Sequence, residues 1–267
     1  GTVYSFTLKK GVYFTDGTEL HSSDVKFTFE RMFTPSTGAK STAYFSMIKG
    51  AKDMLAGTAT ELSGFEFVDD YHFYITLDYA FAPFVKNLGT SYANIFPENA
   101  TKEAGSAWGT GTNLIGTGPY KIESNDDTTE VVLVKNDNYH GGDVNLDELH
   151  ILYYDDVQTK LIAYENGDID LADLPASLLA QYQESNGDEI KSYYPLGTAF
   201  ISLNLKSEYI SDVNVRKAIS LAINRKELVD TILNGAGIPA TSFLNNQIPG
   251  YDDSRDVLEY NPEEAKK

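Results

Sequence analysis

The stretch that decides the fold is YSFTLKKGVYFTDGT at residues 4–18, followed closely by SDVKFTFER at residues 23–31. In the first stretch apolar residues alternate with polar ones, which is the period-2 pattern of a half-buried strand. Lys10-Gly11 and Asp16-Gly17 are dipeptides that favour tight turns. The first stretch therefore predicts short strands joined by turns.

The second stretch predicts a helix. Val25, Phe29, Met32 and Phe33 recur at the spacing that places side chains on one helical face. The polar residues at 22–24 supply candidate caps and an acidic first turn. We expect this helix to bury its apolar face against the neighbouring strands.

Further along, the pattern predicts a second hairpin. Residues 65–68 and 73–77 have strand character and flank a turn at Asp69-Asp70. Pro83 can begin a short helix that carries Phe84, Val85 and Leu88. The stretch from 94 to 119 is rich in glycine and is predicted to be mostly loop, and its composition predicts a domain junction there.

The rest of the chain mixes strand and helix patterns. Predicted strands cover residues 120–123, 130–134, 169–171 and 200–204, and helical spacing occurs around 157–164, 178–182, 215–223 and 228–233. These elements do not alternate as regular βαβ units, so we expect an α/β fold other than a simple doubly wound sheet. No internal repeat is visible.

Composition narrows the classes of function. The formal net charge of −18 disfavours nucleic-acid binding, which needs clustered Lys and Arg. The sequence has no cysteine, which removes thiolate chemistry and Cys-based zinc sites. No apolar run approaches the roughly 18 residues of a membrane span, and no secretory signal is visible at the start.

The sequence contains no recognisable catalytic motif. The glycines from 109 to 116 lack the preceding strand and following helix of a dinucleotide-binding loop, so a turn is the better interpretation. No Gly-x-Ser-x-Gly motif provides a hydrolase nucleophile. Acid pairs for glycoside hydrolysis stay possible in so acidic a chain, although no motif singles one out.

Metal sites and cofactors are not expected either. Asp168, Asp170 and Asp173 suggest calcium, but an EF-hand loop would need Gly and Glu where Asp173 and Leu179 stand. The four histidines have no metal-ligand spacing. The chain does contain 18 Tyr and 14 Phe, which suit both an aromatic core and a ligand-binding cleft.

The two opening stretches are followed, in order, by four further motifs: GTGPY at 116–120, NYHGG at 138–142, GDIDL at 167–171 and VRKAI at 215–219. Together these motifs resemble family 5 of the extracellular solute-binding proteins, the receptors of ABC importers for oligopeptides, dipeptides and nickel. Residues 251–267 also match the family's approach to a helix. The resemblance covers essentially the whole chain.

The resemblance implies a periplasmic-binding-protein-like fold of type II, with mixed sheets and an extra domain. It implies that residues 1–97 form the small extra domain, that 98–196 form part of the first ligand-binding lobe, and that 197–267 begin the second. Members of the family are longer than this chain. We therefore expect it to be truncated at both ends, lacking the signal or lipoprotein segment and most of the second lobe.

The resemblance also implies the function and the site. A peptide or another small solute would be held between two lobes and delivered to the permease subunits of the importer, outside the cytoplasm, by a monomer without enzymatic activity or cofactor. The residues that match cleft-lining positions of the family are Tyr44, Ala172, Asp173, Leu174, Gly197 and Phe200.

Two other functions stay open. One is a sensory or regulatory protein that uses the same binding fold beside another domain. The other is a secreted glycosidase whose acids the sequence does not reveal. The identity of the solute among peptides, nickel chelates, haem and sugars also stays open.

Overall fold

A computed structural model describes residues 1–193, 195–254 and 257–267. The chain forms two compact units, Gly1–Asp155 and Asp156–Lys267. Strands and helices both occur, as the α/β prediction requires. Over the described ranges, no helix has the length and apolar character needed to cross a bilayer.

A three-stranded antiparallel sheet organises the first unit. Its strands are β1 (Val3–Thr7), β2 (Phe65–Phe67) and β3 (His72–Thr76), in the order β1-β3-β2. β3 is central, since Ile75 lies opposite Tyr4 on one side and Phe65 on the other. The predicted hairpin of β2 and β3 is thus confirmed.

Helix α1 (Ser22–Phe33) supplies much of the core of the first unit. Its predicted apolar face is confirmed, because Val25, Phe29, Met32 and Phe33 are all buried. They share one cluster with Phe73 and other residues of the sheet. Burying a large apolar side chain contributes roughly 1.5–3 kcal/mol, so this face is a major source of stability.

Three short helices follow in the first unit, α2 (Ala51–Leu55), α3 (Phe84–Asn87) and α4 (Glu98–Ala104). α4 lies in the stretch predicted to be loop, so that part of the prediction is wrong. Side chains of α1 form hydrogen bonds with the start of α4 and the residues that precede it. Asp24 accepts a hydrogen bond from the backbone N–H of Glu98, and Thr28 Oγ1 accepts one from Phe96, both at 2.9 Å.

A second antiparallel sheet completes the first unit. It consists of β4 (Tyr120–Asn125), β5 (Glu130–Lys135) and β6 (Glu148–Leu152), in that order. The predicted pairing of β4 with β5 is confirmed, whereas β6 was not predicted. At the hairpin tip, the hydroxyl and N–H of Thr129 and the N–H of Thr128 donate to Asp126, which lowers the pKa of its carboxyl.

The second unit consists of helices joined by turns and irregular segments. Its helices are α5 (Val157–Glu165), α6 (Leu179–Asn186), α7 (Val213–Ala222), α8 (Arg225–Glu227), a π-helical turn (Leu228–Ile232) and α9 (Pro262–Ala265). Asp156 caps α5 by accepting from Thr159 N at 2.8 Å. Gly167 follows α5 with a φ of 79°, which only glycine adopts easily and which ends the helix.

Two strands predicted in the second unit are not formed. Residues 169–171 and 200–204 have irregular structure, and within the described ranges neither segment pairs with a strand. The side-chain patterns are those of strands, but a strand is defined by the backbone hydrogen bonds that it makes with a neighbour. Both predictions are wrong because, among the residues that the structure describes, no neighbouring strand is present in this unit.

The division predicted at residues 97 and 196 stays a prediction. The hydrogen bonds from Phe96 and Glu98 to α1 show that the chain around residue 97 is held against the first helix. The boundary between the two compact units falls at residues 155 and 156.

Candidate ligand-binding site

The second unit contains a cavity with a volume of about 400 Å³, and we call its lining the concave surface. Two segments build it, one around Gly197 and one that runs from Arg225, at the start of α8, to Tyr251. Aliphatic side chains form much of its wall, namely those of Leu228, Val229, Leu233, Ile238 and Leu244. Mostly apolar concavities with a few placed polar groups are the usual form of small-molecule sites.

Polar groups of this concave surface are already ordered by hydrogen bonds. The hydroxyls of Thr241 and Tyr251 lie 2.8 Å apart. Asn245 donates from Nδ2 to the carbonyl oxygens of Pro195 and Gly197, at 3.4 and 3.3 Å. These bonds fix the segment around Gly197 against the opposite wall.

Charge is sparse on the same surface. Arg225 is the one charged side chain among the described residues that line it, and its Nη2 donates to the carbonyl oxygen of Leu258 at 2.6 Å. Within this lining, carboxylates and histidines are absent, so an acid–base pair is not formed there. The arrangement can bind a solute by apolar contact and hydrogen bonding.

Of the six residues expected at a ligand site, Gly197 lines this surface. Phe200 lies three residues further on and is 63% exposed, with its ring edge-on to that of Phe243 at 4.9 Å between centroids. A large aromatic ring with so much free surface can contact a ligand without any change of the core.

Ala172, Asp173 and Leu174 occupy a different part of the second unit and do not line the concave surface. Asp173 forms an ion pair with Lys160 of α5, with 2.5 Å between Oδ1 and Nζ, and this bond lowers the pKa of the Asp173 carboxyl. The Asp173 side chain itself is 88% exposed. It is therefore accessible to a ligand, although Lys160 competes for it.

Tyr44 lies in the first unit, in a single 3₁₀ turn at Thr42–Tyr44. Its ring lies against that of Tyr92, with centroids 4.7 Å apart, and both rings are about half exposed. Asn87 donates to the Tyr44 carbonyl oxygen at 2.7 Å and holds the turn in place. The pair offers an aromatic surface, and its part in binding stays a prediction.

Within the described ranges, no group of three or more His, Asp or Glu side chains is placed to hold an ion. Asp168, Asp170 and Asp173 do not form such a group. An acidic hollow in the first unit, lined by Asp16, Glu19 and Glu98, is likewise not such a group.

Sequence reasoning missed the second wall of the concave surface. Asn245, Asn246 and Gln247 form a polar run between Leu244 and a proline-containing turn. Such a run is typical of an exposed loop, and nothing in its composition shows that it faces Gly197. Because the two walls are far apart in the sequence, local sequence patterns do not predict that they lie together.

The chain is similar to known proteins in three comparisons, with a family model, with curated sequences and with solved structures. The family model described as "Bacterial extracellular solute-binding proteins, family 5 Middle" matches residues 1–267. The periplasmic oligopeptide-binding protein OppA of Salmonella typhimurium is 26% identical over 96% of this chain and 48% of its own length. Heme-binding protein A of Haemophilus influenzae is 27% identical over 100% of this chain and 50% of its own length.

A solved structure shares the fold. Listeria monocytogenes OppA bound to peptide superposes with a TM-score of 0.79 at 26% identity, over 99% of this chain and 55% of the Listeria chain. The likeness confirms the predicted mixed α/β fold of the periplasmic-binding-protein type. The chain spans about half the length of the curated relatives it matches.

Proposed function

The chain belongs to the bacterial extracellular solute-binding proteins of family 5, and from this premise we propose that its parent protein captures oligo- or dipeptides for an ABC importer. The family consists of binding proteins and not of enzymes. The observation that carries the choice of peptides is the likeness, over 99% of this chain, to a Listeria protein solved with a bound peptide. The Salmonella relative is named as periplasmic, which supports capture outside the cytoplasm.

The proposed mechanism is enclosure of the peptide between two lobes, followed by delivery to the permease. An extended peptide can be held largely through its backbone, which tolerates varied side chains. The proposed contacts are those given by the family resemblance, Tyr44, Ala172, Asp173, Leu174, Gly197 and Phe200. Their exposed surface supports this role, because rings such as those of Tyr44 and Phe200 would gain burial on closure.

A second candidate ligand has support of its own. The Haemophilus relative named as a heme-binding protein matches the whole chain at 27% identity. The likeness therefore favours a solute-binding protein more strongly than it favours one solute. Peptide and heme make different demands, since heme needs a large flat apolar site and an iron ligand.

The full-length protein tests both candidates. We expect titration calorimetry with peptides of two to nine residues to show binding, and native mass spectrometry to show peptides that co-purify. The control is hemin, followed by its absorbance. Binding of hemin without any binding of peptides would replace the first candidate by the second, and binding of neither would contradict both.

A further inference from the structure

The ion pair between Lys160 and Asp173 joins two side chains that differ greatly in exposure. The Lys160 side chain is 16% exposed, whereas that of Asp173 is 88% exposed. Among the described residues, Asp173 is the one carboxylate within ion-pair distance of the Lys160 amine. The ammonium of Lys160 is therefore largely withdrawn from water and depends on Asp173 for its counter-charge.

Lys160 is the better anchored partner of this pair. It lies in α5, next to Leu161, which is 3% exposed. Asp173 lies in a segment without regular secondary structure. The beginning of that segment is joined to α5, since the N–H of Asp168 donates to the carbonyl oxygen of Ala163 at 2.8 Å. The helix thus fixes the lysine, and the lysine holds the carboxylate of Asp173.

The ion pair makes Asp173 a better acceptor for one kind of ligand group than for another. An ionised carboxylate has about four lone-pair positions, so Asp173 can accept a further hydrogen bond while it keeps Lys160. A ligand ammonium bound there would lie close to the ammonium of Lys160, and the two like charges repel each other. A ligand ammonium that displaced Lys160 would leave a mostly buried charge without its partner. A neutral N–H donor avoids both costs.

We propose that Lys160 is a positioning residue that sets the specificity of the solute site, because it makes Asp173 favour a neutral N–H group over a positively charged amine. Backbone amides and acylated amines of a peptide belong to the favoured class. The inference rests on the proposed function, since it takes the bound peptide to contact Asp173. It goes further by assigning the choice between neutral and charged groups to one cation of α5.

Calorimetry on the full-length protein tests the proposal with pairs of tripeptides that differ by one positive charge. The pairs compare a free with an acetylated amino terminus, and lysine with norleucine at each position. The ratio of the two dissociation constants in a pair measures discrimination against the charge. Lys160→Met removes the cation and keeps most of the side-chain stem. It should shift the ratio on the order of fivefold towards the charged peptide, in the pair whose charge lies at Asp173.

Three further variants separate this effect from a change of structure. Lys160→Arg keeps the positive charge and should keep the wild-type ratios. Lys266→Met breaks an exposed ion pair with Glu263 in the same unit and should leave every ratio unchanged. In the double variant Lys160→Met/Asp173→Asn the shift should disappear, because the carboxylate that attracts the ligand charge is gone. A shift that persists in the double variant would overturn the proposal, as would Lys160→Met without any shift.

Nuclear magnetic resonance titration of the 267-residue chain gives a measurement that needs no ligand. The hydrogen bond and the charge of Lys160 lower the pKa of the Asp173 carboxyl. In Lys160→Met this pKa should rise towards 3.8, and in Lys160→Arg it should stay low. An unchanged pKa in Lys160→Met would overturn the inference even if peptides bind. A full-length protein that binds none of the peptides, although Asp173 titrates as expected, would contradict the proposed function and the inference with it.

Discussion

The two units of this chain have similar sequence patterns but very different interiors. In the first unit, aromatic and aliphatic residues such as Phe14, Phe29 and Phe84 are completely or almost completely buried. In the second, Leu161 and Ala163 are the only apolar residues that are buried within the described ranges. A pattern of apolar residues thus predicts which side of a helix or strand can be buried. Whether that side is buried depends on a second element that packs against it.

The sharpest test of this contrast is one substitution made in both units. Phe29→Ala should cost about 3–5 kcal/mol of unfolding free energy, because it leaves a cavity in a packed core. Phe200→Ala should cost less than about 1 kcal/mol in the 267-residue chain, because its ring is 63% exposed. Each ring contacts one other phenylalanine edge-on, so the aromatic contact is matched. Urea unfolding followed by hydrogen exchange in each unit measures both costs, and equal costs would contradict the comparison.

A second test uses the aspartates at the helix starts. Asp24→Ala should cost about 2 kcal/mol, because it removes the acceptor of the partly buried N–H groups of His21 and Glu98. Asp156→Ala removes the cap of α5, an exposed group, and should cost less. Thermal unfolding of both variants compares them, with Asp53→Ala on the exposed side of α2 as control. A larger loss for Asp156→Ala would contradict the ranking.

A third test concerns whether side chains of the second unit contact the bound peptide. Leu174→Arg in the full-length protein should weaken peptide binding by roughly 1–3 kcal/mol without loss of folding. The control is Leu171→Arg, three residues away at an 88% exposed side chain, which we expect to leave affinity unchanged. Calorimetry measures both, and equal affinities for the two variants would remove residues 172–174 from the proposed site.

The smallest expected effects are in the pH dependence, with opposite signs for His150 in the first unit and Asp156 in the second. Hydrogen bonds from His150 to Glu130 and Glu148 raise the pKa of its imidazole above 6.5. The stabilisation that these hydrogen bonds contribute is complete below the pKa that His150 has in the unfolded chain. It is lost as the pH rises through the pKa of His150 in the folded protein. The pKa of Asp156 is lowered below 3.8 by Thr159, so its stabilisation is present above that value and is lost as the pH falls through the folded pKa.

Nuclear magnetic resonance titration measures both groups. We expect His150 to titrate above 6.5 and to return towards that value in Glu130→Gln. Asp156 should titrate below 3.8 and shift upward in Thr159→Val, which removes the hydroxyl donor. Titration of His150 at or below 6.5 would show that its two glutamates do not act on it.

Much of the first unit could be predicted from the sequence because its elements find their partners within a short stretch. The hairpin of β2 and β3 is an example, since its strands are joined by a four-residue turn. α4 was missed because Pro97 stands directly before it and a glycine-rich stretch begins directly after it at Gly105. β6 was missed although Leu149 and Ile151 alternate there, because flanking charged residues masked a short pattern.

The candidate site could be predicted only in part. The family resemblance led to Gly197, which does line the concave surface of the second unit. Asn245 and Tyr251 line it too, but their position depends on how the chain returns after α8. Contacts between segments some fifty residues apart, such as Asn245 with Gly197, leave no trace in local composition.

The position of β1 in the first sheet has a consequence for the order of folding. β1 pairs with β3 in a register that places Val3 opposite Thr76, so this contact closes a long loop, whereas β2 and β3 form a local hairpin. Closing a long loop costs more entropy than closing a short one, and non-local pairing is slow. We therefore expect the β2–β3 hairpin and α1 to form first and β1 to join last. Substitution of Tyr4 should then mainly accelerate unfolding, whereas substitution of Phe73 should slow folding, as stopped-flow kinetics would show.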